Sequence, residues 1–175
     1  MKKLSILLLS LCFIMSKCPD DTPKLEELPP ISQTGANSVG CLINGEVWIP
    51  SKWRITGSPR YISIDTSLEK TMTINFQKNA PFINLLIVAK YKHFQLGGLQ
   101  LIPSLTQFSN VEICNNESFF LDTINYLNYL KINFIDTSRQ KRIIAGEFQL
   151  RYVSKDCKDT INITKGRFDM PFSIE

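Results

Sequence analysis

The sequence predicts an all-β fold: a single antiparallel β-sandwich or partly closed β-barrel of about nine or ten strands. Apolar and polar residues alternate with a period of two along several segments, as in half-buried strands whose successive side chains point to opposite faces. Short polar breaks rich in turn-forming residues separate these segments. The stretch 40–175 is long enough for one all-β domain with its own core and too short for two.

The alternation is clearest near the C-terminus, where one apolar face is made of Phe168, Met170, Phe172 and Ile174. Arg167 and Asp169 are expected on the exposed face of that strand. The same pattern predicts strands over 71–77 and 147–152. The segment 82–89 is apolar at nearly every position, which predicts a strand buried on both faces, with a short core helix as the alternative. A weak helical pattern covers 116–128.

Turn signals join the predicted strands. Asn44-Gly45 predicts a two-residue β-hairpin, because both residues accept a positive φ. The polar segment 136–141 predicts a second hairpin, and 154–159 and 164–166 predict further turns. Gly97-Gly98 predicts a turn or a bulge.

The first seventeen residues have the layout of a signal peptide, with two lysines before a short apolar run. Cys18 follows and is the expected lipidation site, although Lys17 is an unusual residue to precede it. Cys12 is the alternative lipidation site. Without lipidation, the segment would be an ordinary signal peptide or an uncleaved N-terminal anchor. Residues 18–39 begin with a stretch rich in proline and acidic residues, which predicts a flexible tether. These features predict an outer-membrane lipoprotein of the cell envelope, facing the periplasm or the cell surface, with a lipid anchor in the membrane.

Composition excludes one class of partner. The whole chain has a formal net charge of +4, but three lysines lie in the predicted leader, so the mature charge is about +1. No long basic cluster remains to follow a phosphate backbone, and nucleic acid is therefore not expected as a partner.

Three cysteines lie in the predicted domain. Cys114 and Cys157 fall at strand ends or turns and are the candidates for one disulfide, whereas Cys41 lies on a predicted strand and is expected to be a buried small hydrophobe. A single histidine, His93, supplies no cluster of zinc ligands, so neither a metal nor a cofactor is expected.

Catalysis is not expected either, although paired carboxylates leave a hydrolase as a minor alternative. The candidate acids lie at strand ends or turns: Asp65, Glu69, Glu112, Glu117 and Asp122. Trp53 lies in a loop-like segment, where it could contact a partner, although a position folded over the core is the simpler interpretation. Trp48 is expected in the core.

Three stretches resemble a family of small envelope lipoproteins of Bacteroidota. They are Gln33-Thr34-Gly35-Ala36-Asn37 with Gly40-Cys41-Leu42-Ile43-Asn44-Gly45-Glu46-Val47-Trp48-Ile49-Pro50, then Ile143-Ile144-Ala145-Gly146-Glu147-Phe148, and Ile163-Thr164-Lys165-Gly166-Arg167-Phe168-Asp169. The resemblance implies a lipid-anchored envelope protein, and it departs at Lys17, where members usually carry a small residue. The family has no assigned activity, so the resemblance gives no residue a catalytic role.

The sequence therefore predicts a non-catalytic module that binds an unknown protein or glycan partner. The alternative is a lipocalin-like carrier of a small apolar ligand. A filled sandwich and a carrier differ in whether a cavity remains among the inner-face residues, which are expected to include Ile64, Ile74, Phe76, Leu86, Phe134, Phe148 and Phe168.

Overall fold

The computed structural model describes residues 27–52, 58–92, 96–110, 118–154 and 159–175. These residues form strands and no helix, which confirms the all-β prediction. The strands are β1 (Ser38–Ile43), β2 (Glu46–Trp48), β3 (Arg60–Ile64), β4 (Thr71–Asn79), β5 (Phe82–Lys90), β6 (Gly97–Leu101), β7 (Gln107–Asn110), β8 (Ser118–Leu121), β9 (Tyr129–Asp136), β10 (Ile143–Val153), β11 (Thr160–Pro171) and β12 (Ser173–Ile174). The helical interpretation of 116–128 is wrong over its described part, because Phe119 and Leu121 are buried alternate residues of β8.

All the strands belong to one partly closed sheet, in the order β12-β3-β4-β5-β6-β9-β10-β11-β1-β2. β7 and β8 make a second bridge between β5 and β10, next to the bridge made by β6 and β9. The pairings are antiparallel except for that of β12 with β3, where the chain crosses from β11 to the far edge of the sheet. This ring-like bonding is consistent with the predicted sandwich or partly closed barrel, although the described residues form twelve strands instead of about nine or ten.

The strand registers define two ends of this body. The hairpin end carries the β1–β2 turn at Asn44-Gly45 and the β4–β5 turn at Asn79–Phe82. The lysine end carries the β3–β4 loop (65–70), the described ends of the β5–β6 connection (91–92 and 96) and the β9–β10 turn (137–142). The connections between β7 and β8 and between β10 and β11 leave from the hairpin end.

Aromatic rings fill the space between the two halves of the sheet. Phe148 packs between Phe76 and Phe168, with ring centroids 6.3 and 6.4 Å away, and Phe108 lies 5.9 Å from both Phe119 and Tyr152. All six side chains are buried, so their packing contributes to a continuous core instead of lining an open cavity.

Five of the seven residues predicted for the inner face are in the core: Ile64, Ile74, Phe76, Phe148 and Phe168. Leu86 and Phe134 are only half-buried and lie outside it, so these two predictions are wrong. In β5 the alternation places Leu85 and Ile87 inward instead of Leu86. In β9 a register shift changes the alternation after Ile132.

The segment 164–166 is a β-bulge and not the predicted turn. β11 continues through it, with a register shift against both β1 and β10, and Lys165 has a φ of 52°. The extra residue changes which alternate positions face inward: Ile161 and Ile163 are buried before the bulge, and Phe168 after it. The bulge thus keeps both halves of an uninterrupted strand in the core.

Other local predictions have mixed outcomes. Asn44 and Gly45 have φ values of 50° and 92° and form the predicted two-residue hairpin, and 136–141 joins β9 to β10 as predicted. Gly97 and Gly98 instead open β6, where they pair with β9. Ile174 is exposed, because the chain changes partner after Phe172 and joins the edge of β3.

The segment 82–89 is a strand, as predicted, but only part of its outer face is buried. Val88 is buried because the connection between β6 and β7 covers it. The hydroxyl of Thr106 accepts a hydrogen bond from the Val88 amide at 3.2 Å and donates one to the Val88 carbonyl at 3.1 Å. Leu86 lies beyond this cover and is half-buried.

Substitution of Gly166 tests whether the bulge needs a residue without a side chain. A Cβ at this position would lie 2.5 Å from the ring of Phe148, so Gly166→Ala is expected to lower the free energy of unfolding by about 1–3 kcal/mol. Gly98→Ala is the matched control, since nothing lies within 4 Å of its Cβ position. Urea denaturation of both variants measures the effect, and an equal loss in both would contradict it.

Candidate functional site

The N-terminal segment 28–37, here called the strap, crosses the outer face of the sheet before β1 begins. Pro29 packs over Gly40, where an added Cβ would lie 2.8 Å from its ring, and Gly35 packs against Ile143 in the same way. Ile31 lies beside Arg167. The strap therefore brings together residues from all three stretches that carry the family resemblance, although the sequence assigns it to the flexible tether.

Asp169 holds the strap in place and is buried, not exposed as predicted. Its carboxylate accepts hydrogen bonds from the Ser32 hydroxyl at 2.6 Å and from the amides of Thr34, Gly35 and Ala36 at 3.0, 2.8 and 3.2 Å. Burial raises the pKa of this carboxyl, but these hydrogen bonds together bring it below the ordinary value. Its oxygens are occupied by the strap, so Asp169 is structural despite its perturbed pKa.

A buried arginine extends this anchoring. Nε of Arg60 donates to the Ser51 carbonyl and Nη1 to the Asn37 carbonyl, both at 2.9 Å. Burial lowers the pKa of the guanidinium. Arg60 thus joins β3 to the end of the strap and to the connection that follows β2.

The described acids from the candidate hydrolase set also have structural roles. Asp65 accepts hydrogen bonds from the amide and hydroxyl of Ser67, which lower its pKa, and Glu69 forms an exposed ion pair with Lys90 at 3.3 Å. Buried Asp122 accepts hydrogen bonds from the amides of residues 124 and 125. Glu112 and Glu117 lie outside the described residues.

Cys41 is a buried free thiol, as predicted, and burial raises its pKa far above the ordinary value. A thiol that stays protonated is a poor nucleophile and a poor metal ligand. Cys114 and Cys157 lie outside the described residues, so their disulfide stays a prediction. The connections that contain them both leave from the hairpin end, and Ser154 donates its amide hydrogen bond to the Asp159 carbonyl at 3.0 Å across one of them.

An open groove of about 460 Å³ lies at the hairpin end, between β2 and the β4–β5 turn. We call it the β2 groove. It is lined by Ile43, Asn44, Glu46, Val47, Trp48, Lys78, Pro81, Ile83 and Asn110. The lining combines an apolar floor with a rim that carries an acid, a lysine and two amides.

The β2 groove borders an unpaired strand edge. Because the β1–β2 hairpin has a two-residue turn, Ile43 and Glu46 form its closing hydrogen-bonded pair, and Val47 opposite Leu42 is a non-hydrogen-bonded pair. The N–H and C=O of Val47 therefore point away from β1. No backbone group among the described residues pairs with them.

Trp48 forms part of the floor of this groove. Its side chain is 4% exposed, which confirms its prediction as a core residue, and its Nε1 has no hydrogen-bond partner among the described residues. A ring so deeply buried cannot present a face for a sugar to stack on. The sequence could not reveal this groove, because its walls come from strands that are distant in the chain.

A larger open groove of about 780 Å³ lies at the lysine end, and we call it the lysine groove. It is lined by Leu68, Glu69, Lys70, Lys90, Tyr91, Lys92, Leu96, Gly97, Gly98, Leu99 and Gln100. Only Glu69, Gly97 and Gly98 of these residues stand out in the sequence, because the lysines and leucines come from strands and loops that are separate in the chain.

The remaining predicted site residues, Cys18, Trp53 and His93, lie outside the described residues. Ser51, just before the segment with Trp53, donates its amide hydrogen bond to the Gln77 carbonyl at 2.9 Å near the hairpin end. Within the described ranges there is no group of three or more potential metal-ligating side chains. The same ranges contain no helix with the length and apolar character needed to cross a membrane.

Comparison with known proteins gives no relative: no family model, no curated protein and no solved structure matches this chain. The functional interpretation therefore rests on the grooves and on the chemistry of the groups around them.

Asp169→Asn is expected to lower the free energy of unfolding by about 2 kcal/mol at neutral pH, because hydrogen bonds to a charged acceptor are lost. The folded-state pKa is depressed, so the stabilisation is present above the unfolded-state pKa of about 3.9 and is lost as the pH falls through the folded-state value. Urea denaturation between pH 7 and pH 2.5 should show the two proteins converging in acid. Asp136→Asn, which loses an exposed hydrogen bond from the Ser138 amide, is the control and should cost much less than Asp169→Asn. A constant difference between wild type and Asp169→Asn at every pH would contradict the role of Asp169.

Proposed function

We propose that this chain is a non-catalytic binding domain of the cell envelope, held by a lipid on Cys18, which binds an extended segment of a protein partner in the β2 groove. The observation that carries the proposal is the unpaired edge of Val47 beside an apolar groove. An added strand would form backbone hydrogen bonds with this edge and place alternate side chains against the floor.

The packed interior favours binding at the surface over transport of an apolar ligand. A lipocalin-like carrier needs open space where Phe76, Phe148 and Phe168 are in contact, and these rings are buried in one continuous cluster. The described carboxylates favour binding over hydrolysis, because Asp65 and Asp122 are occupied by turn and loop hydrogen bonds.

A protein segment fits the groove better than a glycan. Sugars are commonly recognised through an exposed aromatic face, and Trp48 offers none. A peptide backbone, in contrast, supplies both a donor and an acceptor for the two free groups of Val47. The exposed Glu46 on the rim would then select among partner side chains by charge.

Site-specific photocrosslinking in intact cells tests this proposal. A photoreactive residue at exposed Glu46 should give a discrete adduct with a partner, whereas the same residue at exposed Lys165, outside the β2 groove, should give none. Adding Val47→Pro should abolish the adduct, because proline removes the free N–H without removing a ladder hydrogen bond of β1. Val47→Ala keeps the N–H and should retain the adduct.

Two outcomes would contradict the proposal. One is an adduct at position 46 that persists at full yield with Val47→Pro, provided that both variants unfold at the wild-type urea midpoint. The other is an equally strong adduct at position 165, which would place the contact outside the β2 groove.

A further inference from the structure

The lysine end carries a second surface, separate from the β2 groove, that exposes apolar side chains without support. Leu68 in the β3–β4 loop is fully exposed, with a relative exposure of 101%, and Leu96 in the β5–β6 connection is 65% exposed. Both line the lysine groove. Two exposed leucines on one surface are a feature of surfaces that bind membranes or proteins.

Basic side chains surround these leucines. Lys70 and Lys92 are exposed and form no ion pair within the described residues, and the pair of Lys90 with Glu69 is largely exposed and therefore weak. Basic residues outnumber acidic ones among the described residues at this end. The basic residues are Lys70, Lys90, Lys92, Arg139, Lys141 and Arg142, and the acidic residues are Asp65, Glu69, Asp136 and Glu175. The surface around the leucines thus has a positive excess.

Hydrogen bonds join the β3–β4 loop to Tyr91, the residue that follows β5. The hydroxyl of Tyr91 donates to the Asp65 carbonyl at 2.7 Å, and the Tyr91 amide donates to the Lys70 carbonyl at 3.0 Å. Asp65 in turn orders its loop through Ser67. The β3–β4 loop, which carries Leu68 and Lys70, is therefore fixed relative to Tyr91 and the adjacent Lys92, which lowers the entropy cost of binding with these residues together.

We propose that the lysine end docks on an anionic phospholipid surface. Leu68 and Leu96 enter the headgroup region, and Lys70 and Lys92 lie against lipid phosphates. An apolar tip flanked by lysines matches the polarity gradient of the membrane interface. A bilayer fits better than an acidic protein segment, because both leucines are exposed beside an open groove instead of lining a closed pocket. This contact would be independent of any acyl chain on Cys18.

Vesicle co-sedimentation tests the proposal with the chain from residue 18 onward carrying Cys18→Ser, which contains every described strand and cannot be acylated. It should bind vesicles of phosphatidylcholine with 30% phosphatidylglycerol and bind pure phosphatidylcholine at least about tenfold more weakly. Leu68→Ser with Leu96→Ser, and separately Lys70→Glu with Lys92→Glu, should each weaken binding about tenfold or more. Binding should also fall as salt rises.

Matched controls keep the result specific to this end. Ile124→Ser with Leu127→Ser removes two exposed apolar side chains elsewhere, and Lys165→Glu reverses a charge outside the lysine groove; both should leave binding unchanged. Absence of binding to anionic vesicles, or equal losses in the control variants, would overturn the proposal. So would selective binding of soluble polyglutamate without binding of vesicles, which would assign the lysine groove to an acidic protein segment.

Discussion

The buried carboxylate of Asp169 is the constraint on which the arrangement of the chain depends. This residue of β11 accepts hydrogen bonds from the Ser32 hydroxyl and from three successive strap amides, which lie more than 130 residues away in the sequence. The strap then delivers the chain into β1, whose other edge pairs with β2. Without this anchor, β1 would still pair with β11, but residues 28–36 would keep only packing contacts with the outer face, such as those of Pro29 with Gly40 and of Gly35 with Ile143. The segment that Asp169 holds thus leads directly into β1 and then β2, whose free edge borders the β2 groove.

The second constraint is the bulge in β11. A strand of twelve residues that kept a strict period of two would turn one half of its apolar residues out of the core. Lys165 takes the left-handed conformation, the register changes by one residue, and Phe168 returns to the interior against Phe148. Gly166 is needed there because the Phe148 ring occupies the space of a side chain.

The sequence predicts what is determined locally. The all-β class and the Asn44-Gly45 hairpin follow from alternation and turn chemistry within a few residues, and both are confirmed. The bulge is missed because a lysine-glycine pair between two apolar runs also suits a turn. Asp169 is missed because its burial depends on partners that the chain supplies far away. The grooves are missed for the same reason: the free edge of Val47 is visible only when the order of the strands is known.

Amide hydrogen exchange, resolved residue by residue by NMR, can measure both the anchoring of the strap by Asp169 and the free edge of the β2 groove. We expect slow exchange at Thr34, Gly35 and Ala36, comparable to the amides of β11, and fast exchange at Val47, whose N–H faces the open groove. Fast exchange throughout the strap would contradict the role of Asp169. Strong protection at Val47 in the isolated protein would mean that its edge is already paired, and the β2 groove could not accept a partner strand.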